Sequence, residues 1–395
     1  MALPDDPTKV TQADLVHLIS ERQSEGQRLD FKGALPAAWN DKAKNDLQSD
    51  VAAFANATGG YLVFGMEQDA DGCAAKLVPQ TFNPDTDAMR MESILGDGVE
   101  PRMPGCKVQP VPVDVDGTTG YAVLVYVPQS WVGPHRVKSS RHFYLRDGLQ
   151  SRPVDVPELR SMFIRSESQA ERVRAFRTER LSKVMTGETP YKLAEGPVLV
   201  LHLVPLQAVL GQVSVGPVQY LGLRRGIPVV AANSGAVMSL VNLDGAAGTR
   251  NMLEKGTNGY TLLFRNGFIE TTWVLSSNSA EYKAVLPGGA FEDYIAQFVT
   301  AARSEMAHWG ITGQVVSMFS IVGADDVTLA IQREYGGHEA SRFDRKVLVL
   351  PDIEVAGEAP EREELKPLFD LVWQSAGFQG SPNFDEQGRW VGPRR

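Results

Sequence analysis

The stretch Asp50-Val-Ala-Ala-Phe-Ala-Asn-Ala-Thr-Gly-Gly-Tyr-Leu-Val-Phe-Gly-Met-Glu67 decides how this chain is read. Leu47, Val51 and Phe54 recur at i, i+4 and i+7, one apolar stripe on a helix that Asp41 opens. Gly59 and Gly60 follow, residues that close a helix in the left-handed region without a Cβ clash. Tyr61-Leu-Val-Phe64 is short, apolar and β-prone, which predicts a strand buried on both faces. Gly65 leads out of it into Glu67, Asp69, Asp71 and Gly72, a polar turn rich in carboxylates. Acids at the mouth of a buried strand suggest a site. An ordinary acidic surface turn is the alternative.

Upstream, Leu15, Leu18 and Ile19 behind the cap Thr11-Gln-Ala-Asp14 predict a helix over residues 12–22. Leu29 and Phe31 alternate with Arg28, Asp30 and Lys32, the period of a half-buried strand. Laid beside Tyr61–Phe64, that strand brings Glu67 or Asp69 near Asp30. Downstream, a helix is expected over 85–95, and strands Lys107–Val115 and Tyr121–Val127 form an antiparallel pair through Asp116-Gly117. A short strand, Phe143–Leu145, precedes a long helix from Pro157 to about Lys183, and Pro190 with Gly196-Pro197 marks a linker. The second half opens on strand Val198–Val204. Tyr260–Phe264 and Phe268–Trp273 form a hairpin through Asn266-Gly267. Helix Phe291–Trp309, strands Val315–Val322, Val327–Ile331 and Val347–Leu350, and helix Glu361–Trp373 complete it. The expected class is α/β in the broad sense (α+β). A mixed sheet with flanking helices occupies 1–165, a helical connector and linker 157–195, and a second α+β domain 196–395.

At 395 residues the chain exceeds one compact core. No apolar run approaches the roughly 20 residues that span a bilayer, so no membrane is expected. Met1-Ala-Leu-Pro-Asp-Asp6 lacks the basic and apolar regions of a signal peptide. Cys73 and Cys106 have no zinc-type spacing and read as free thiols in a reducing cytoplasm. A formal charge of −9 argues against a protein coated in nucleic acid but leaves room for a local basic groove.

Three acidic positions stand out: Glu25, Asp30 and the Glu67/Asp69 pair. Clustered carboxylates do not all ionise without a cation between them. Mg²⁺ or Mn²⁺ takes oxygen ligands of this kind and can activate water for phosphodiester cleavage. Lys32, on the face of Asp30, would steady charge developing on a phosphate. A solvated acidic rim is the competing reading. No phosphate loop follows Gly59-Gly60, no nucleophile elbow or His-Glu-x-x-His is present, and His135 and His142 read as structural. Basic residues gather over 134–183, twelve against six acids. Arg136, Lys138, Arg141, Arg146 and Arg152 form the expected contact segment for a phosphate backbone. A salt-bridged helix surface would show the same composition.

Together these residues resemble the Schlafen AlbA_2 family. The pieces are Ser24-Glu25, Leu29-Asp-Phe-Lys32, Ala53-Phe-Ala-Asn56 and Gly59-Gly-Tyr-Leu-Val-Phe-Gly-Met-Glu67. Val125-Tyr-Val-Pro-Gln-Ser130, Gly133-Pro-His135 and Phe143-Tyr-Leu-Arg-Asp-Gly148 continue the set, and the resemblance covers roughly residues 12–165. It implies a divalent-metal-dependent endoribonuclease acting on structured RNA such as transfer RNA, in a bacterial stress or antiphage role. RNA is favoured over DNA, and a non-catalytic DNA-binding or RNA-binding regulator is the rival. Glu25 and Asp30 match the family's first two acids, and the third falls in the Glu67–Asp69 turn. Asp30 stands where the family usually has Glu, and Gln68 interrupts what is often an acidic run. The second half matches no family; sensing, specificity and homo-oligomerisation are its open roles.

Overall fold

The computed structural model describes residues 3–4, 7–103, 105–130, 132–209, 211, 213–216, 229–230, 238–250, 254–278, 280–311, 313–332, 338–355, 360 and 362–392. It divides into two compact units, 1–171 and 172–395. The division falls inside one long helix.

In the first unit, α1 (Gln12–Ser20) carries a capping box between Thr11 and Asp14, followed by β1 (Leu29–Lys32) and α2 (Asp41–Asn56). Asn40 caps α2, its side-chain oxygen accepting from Ala43 N–H at 2.9 Å. Strands β2 (Gly60–Phe64), β3 (Met66–Gln68) and β4 (Ala74–Leu77) precede α3 (Thr86–Gly98). Then come β5 (Val99–Glu100), β6 (Lys107–Val115), β7 (Thr118–Val127), β8 (Arg136–Val137), β9 (Tyr144–Asp147) and β10 (Gln150–Pro153). The central sheet has the order β1-β2-β7-β6, with β1 parallel to β2 and the other pairs antiparallel.

Alternation along β2 divides two cores. Leu62 and Phe64 pack with Leu47, Val51 and Phe54 of α2, whereas Tyr61 and Val63 pack with Leu15 and Leu18 of α1. Burying a side chain such as Phe54 stabilises by about 1.5–3 kcal/mol, and the sheet gains on both faces. Gly60 has a further reason to be glycine: a Cβ there would lie 2.3 Å from the carbonyl oxygen of Arg28, the residue just before β1. One expectation changes. The segment after Gly65, read as a polar turn, is a hairpin in which β3 pairs with β4 and sets Glu67 opposite Lys76.

The long helix α4 (Val156–Thr186) links the units. The second unit contains β11 (Val198–Pro205), α5 (Leu206–Val209), β12 (Met238–Val241), β13 (Gly245–Thr249), β14 (Tyr260–Phe264), β15 (Ile269–Val274) and β16 (Ala284–Pro287). It continues with α6 (Phe291–His308), β17 (Val315–Val322), β18 (Val327–Gln332), β19 (His338–Arg342), β20 (Val347–Val349), β21 (Ile353–Val355) and α7 (Lys366–Ser375). Among the described residues, β12-β13-β14-β15-β11-β17-β20 form an antiparallel sheet, with β21 also on β17. Glu361, where the last helix was expected to begin, lies outside the described residues. The molecule is α+β throughout. Among the described residues no helix is long and apolar enough to cross a membrane.

Candidate functional site

Asp30 and Lys32 stand in register with Leu62 and Phe64, so their side chains point to the α2 face of the sheet. That face is apolar, and a lone carboxylate there would be costly to bury. Asp30 is not alone. Arg146 Nη2 lies 2.9 Å from its Oδ1, and Lys32 Nζ lies 2.9 Å from its Oδ2, an ion pair off the line of a full hydrogen bond. Lys32 Nζ also reaches Asp50 Oδ2 on α2 at 3.2 Å. The charges therefore alternate: Arg146, Asp30, Lys32, Asp50.

Several contacts fix Arg146. Its guanidinium lies 4.9 Å from the centre of the Phe54 ring and donates to the carbonyls of Gly26 and Leu29. Asn56, at the end of α2, holds β9 in place. Its amide nitrogen donates to the carbonyls of Tyr144 and His135, and its oxygen accepts from His135 N–H at 2.7 Å. His135 is fully buried, and burial holds its imidazole below the usual range; neutral, it donates from Nδ1 to Pro101 O.

Burial pushes the Asp50 carboxyl up, opposed by Lys32. Burial works against the Lys32 ammonium, but Asp50 and then Asp30 outweigh it and hold it above the usual lysine range. Glu25 accepts from Phe31 N–H at 2.7 Å. Burial, then the nearby Asp30, pushes its carboxyl up, against the Phe31 hydrogen bond and the charges of Arg146 and Lys32.

Among the described residues, no ion pair joins the other acids to this set. The Glu67 side chain is exposed on β3 beside Gly33. Asp69 binds Arg22 at 2.6 Å and accepts from Asp71 N–H and Cys73 N–H, which hold its carboxyl below the usual range. Glu25 and Lys32 open on different cavities. The first, of about 480 Å³, is lined also by Arg28 and Tyr61; the second, of about 570 Å³, by Trp39, Asp50 and Tyr144. Among the described residues no three His, Cys, Asp or Glu side chains are grouped to hold a metal ion. With both Asp30 oxygens facing cations and Asp69 committed to its turn, these residues do not fit Mg²⁺ or Mn²⁺ as arranged.

The basic segment is broken up by pairing. Arg136 pairs with Glu100, and Arg152 pairs with Asp147 and Glu158. Arg146, expected at the surface, is instead buried against Asp30, because the apolar α2 face requires that counter-charge. Lys138 and Arg141 are exposed, and no ion pair is formed by either among the described residues. Asp50 was not singled out from sequence. Its signal was a carboxylate one helical turn before Phe54, on the flank of the buried stripe.

Residues 25–155 match the family model described as Schlafen, AlbA_2. That match supports a nucleic-acid-related function. No curated protein matches the chain. Among solved structures, the DIP2311 protein of Corynebacterium diphtheriae is similar at 22% identity over 36% of this chain and 26% of its own, with a TM-score of 0.25. The N-terminal domain of a RecG-related protein from Nitrosomonas europaea is similar at 21% identity over 37% of this chain and 90% of its own, with a TM-score of 0.27. The chain thus spans about a quarter of the first protein's length. Residues 25–155 of the N-terminal unit are thus similar to the Schlafen AlbA_2 family.

Proposed function

We propose that the AlbA_2 domain binds nucleic acid, RNA in preference to DNA, and that its buried acids build the domain instead of carrying a metal. One observation supports this above others: Asp30 is already neutralised between Arg146 and Lys32. A carboxylate compensated on both oxygens has no unmet demand for a cation. Lys138 and Arg141, exposed and without ion pairs among the described residues, are the residues that would meet the phosphate backbone. The test is retention of labelled transfer RNA and duplex DNA by the full chain in chelator, across a series of salt concentrations. Tighter binding of the RNA, with affinity falling as salt rises, is expected. Affinity indifferent to salt, or no binding, would overturn the proposal.

A second reading, metal-dependent endoribonuclease activity in stress or antiphage defence, draws support from Glu25. That residue lies close enough to Asp30 for their charges to interact. It predicts RNA cleavage that appears with Mg²⁺ or Mn²⁺ and disappears with chelator.

A further inference from the structure

The cavity of about 570 Å³ beside Lys32 has a composition that the ion-pair ladder does not explain. Its size lies in the range of small-ligand sites. Two half-buried aromatic rings, Trp39 and Tyr144, line it together with Lys32, Asn45, Ser49 and Asp50. Ser49 is 8% exposed, and its hydroxyl is buried behind the cavity wall.

The charges narrow the ligand. Lys32 and Asp50 neutralise each other at 3.2 Å, and Asp46 adds a carboxylate to the lining. A free phosphate would therefore be repelled, and a hydrocarbon chain would strip water from the Lys32–Asp50 pair and put nothing polar in its place. A flat neutral group with polar edges and a π-face suits the walls. That is the chemistry of a nucleobase.

The cavity is also tied to the exposed cations. Ser139 Oγ donates to Asn45 Oδ1 at 2.9 Å, and Ser139 lies between Lys138 and Arg141 on their short connection. Phosphates on those cations would leave an attached base within reach of Trp39.

We infer that this cavity receives one unpaired base of a bound RNA, set against Trp39 and Tyr144, while Lys138 and Arg141 hold the adjoining backbone. The inference rests on the reading of the domain as a nucleic-acid binder. It makes the domain a reader of single-stranded segments, since bases inside a duplex stay stacked.

The test compares a single-stranded RNA with a blunt RNA duplex, bound by the full chain in chelator. Trp39→Ala removes an aromatic wall, and Ala43→Phe fills the lining without removing a ring. Each should weaken single-strand binding about tenfold, the scale of one lost base stack, and leave duplex binding unchanged. Thermal melts establish that each variant is folded, and either folded variant suffices. If single-strand binding is unaffected, or both RNAs weaken equally, the cavity is not a base site although the domain still binds RNA. If the parent binds neither RNA, both proposals fall.

Discussion

Arg146 and Asp30 meet at 2.9 Å with side chains only 1% and 5% exposed, joining β9 to β1 beneath α2. Breaking a buried pair leaves one charge without compensation, which costs about 3–5 kcal/mol. Arg146→Met should therefore destabilise the domain by about 3 kcal/mol. Asp30→Asn should cost a similar amount by stranding Arg146. Urea unfolding measures both, and unchanged midpoints would remove this pair from the support of the fold. The double replacement Arg146→Met with Asp30→Leu should regain much of the loss, because it leaves no orphan charge.

Glu25 gives a pH signature. Burial raises its carboxyl in the folded chain. A raised acid binds its proton more tightly when folded, so its stabilising contribution is complete below the unfolded value. That contribution is lost as pH rises through the folded one. Glu25→Gln, which can still accept from Phe31 N–H, should melt higher than the parent at neutral pH. The two should converge below roughly pH 4, where the parent carboxyl is protonated. A variant that melts lower at neutral pH would mean that the ionised carboxylate supports the fold.

Glu270 in the second unit behaves oppositely. Arg180 Nη2 donates to it at 2.8 Å, His202 Nε2 at 2.9 Å and the Tyr260 hydroxyl at 2.8 Å. Burial alone would raise this carboxyl, but hydrogen bonds from His202 and Arg180 hold it at about 2. Its contribution is present above the ordinary carboxylate range and lost as pH falls from there toward about 2. Glu270→Gln should cost about 3–5 kcal/mol near neutrality, since buried Arg180 then keeps only Asp244, 3.8 Å away, as a counter-charge. Denaturation followed at neutral pH and in acid should show the gap closing in acid.

Backbone crowding at Gly60 predicts a sharp contrast between two glycines. Gly60→Ala would place a Cβ 2.3 Å from the Arg28 carbonyl oxygen and should cost about 3 kcal/mol or more by forcing β1 and β2 apart. Gly72 has φ +75° but open space around it, so Gly72→Ala should cost only the left-handed penalty of about 1–2 kcal/mol. Equal losses at the two positions would show that crowding at β1 is not what selects Gly60.

Much of the fold was legible because its signals are local. The stripe Leu47, Val51, Phe54 and the apolar run Tyr61–Phe64 each declare an element within a few residues, and both lie in the α2-side and α1-side cores as expected. Asn266-Gly267 likewise announces the turn between β14 and β15, where Gly267 has φ +87°. Strand β13 was not legible: Gly245-Ala-Ala-Gly-Thr249 has little strand propensity and is held by β12 and β14 on either side. The site was legible as a set of acids around β1 but not as a charge ladder. Arg146 reads as one more member of a basic run, and only the packing of β9 against α2 brings it to Asp30. The hairpin of β3 and β4 was hidden by its carboxylates, which suggested a turn where Glu67 sits in a strand.

Phosphate contact at Lys138 and Arg141 sets a salt dependence. Their joint replacement by Gln should lower the slope of log affinity against log salt by about 1.4–1.8, at roughly 0.7–0.9 per contact. An unchanged slope would mean that neither residue touches a phosphate.

Whether the acids around Asp30 are scaffold or catalyst is most directly measured by incubating transfer RNA with the full chain in chelator, in Mg²⁺ and in Mn²⁺, and resolving the RNA on a gel. If Asp30 is a structural partner of Arg146 and Lys32, the RNA is retained and intact in all three conditions. RNA cut only when metal is present, with cutting abolished by an Asp30→Asn variant that melts at the parent's temperature, would contradict that role.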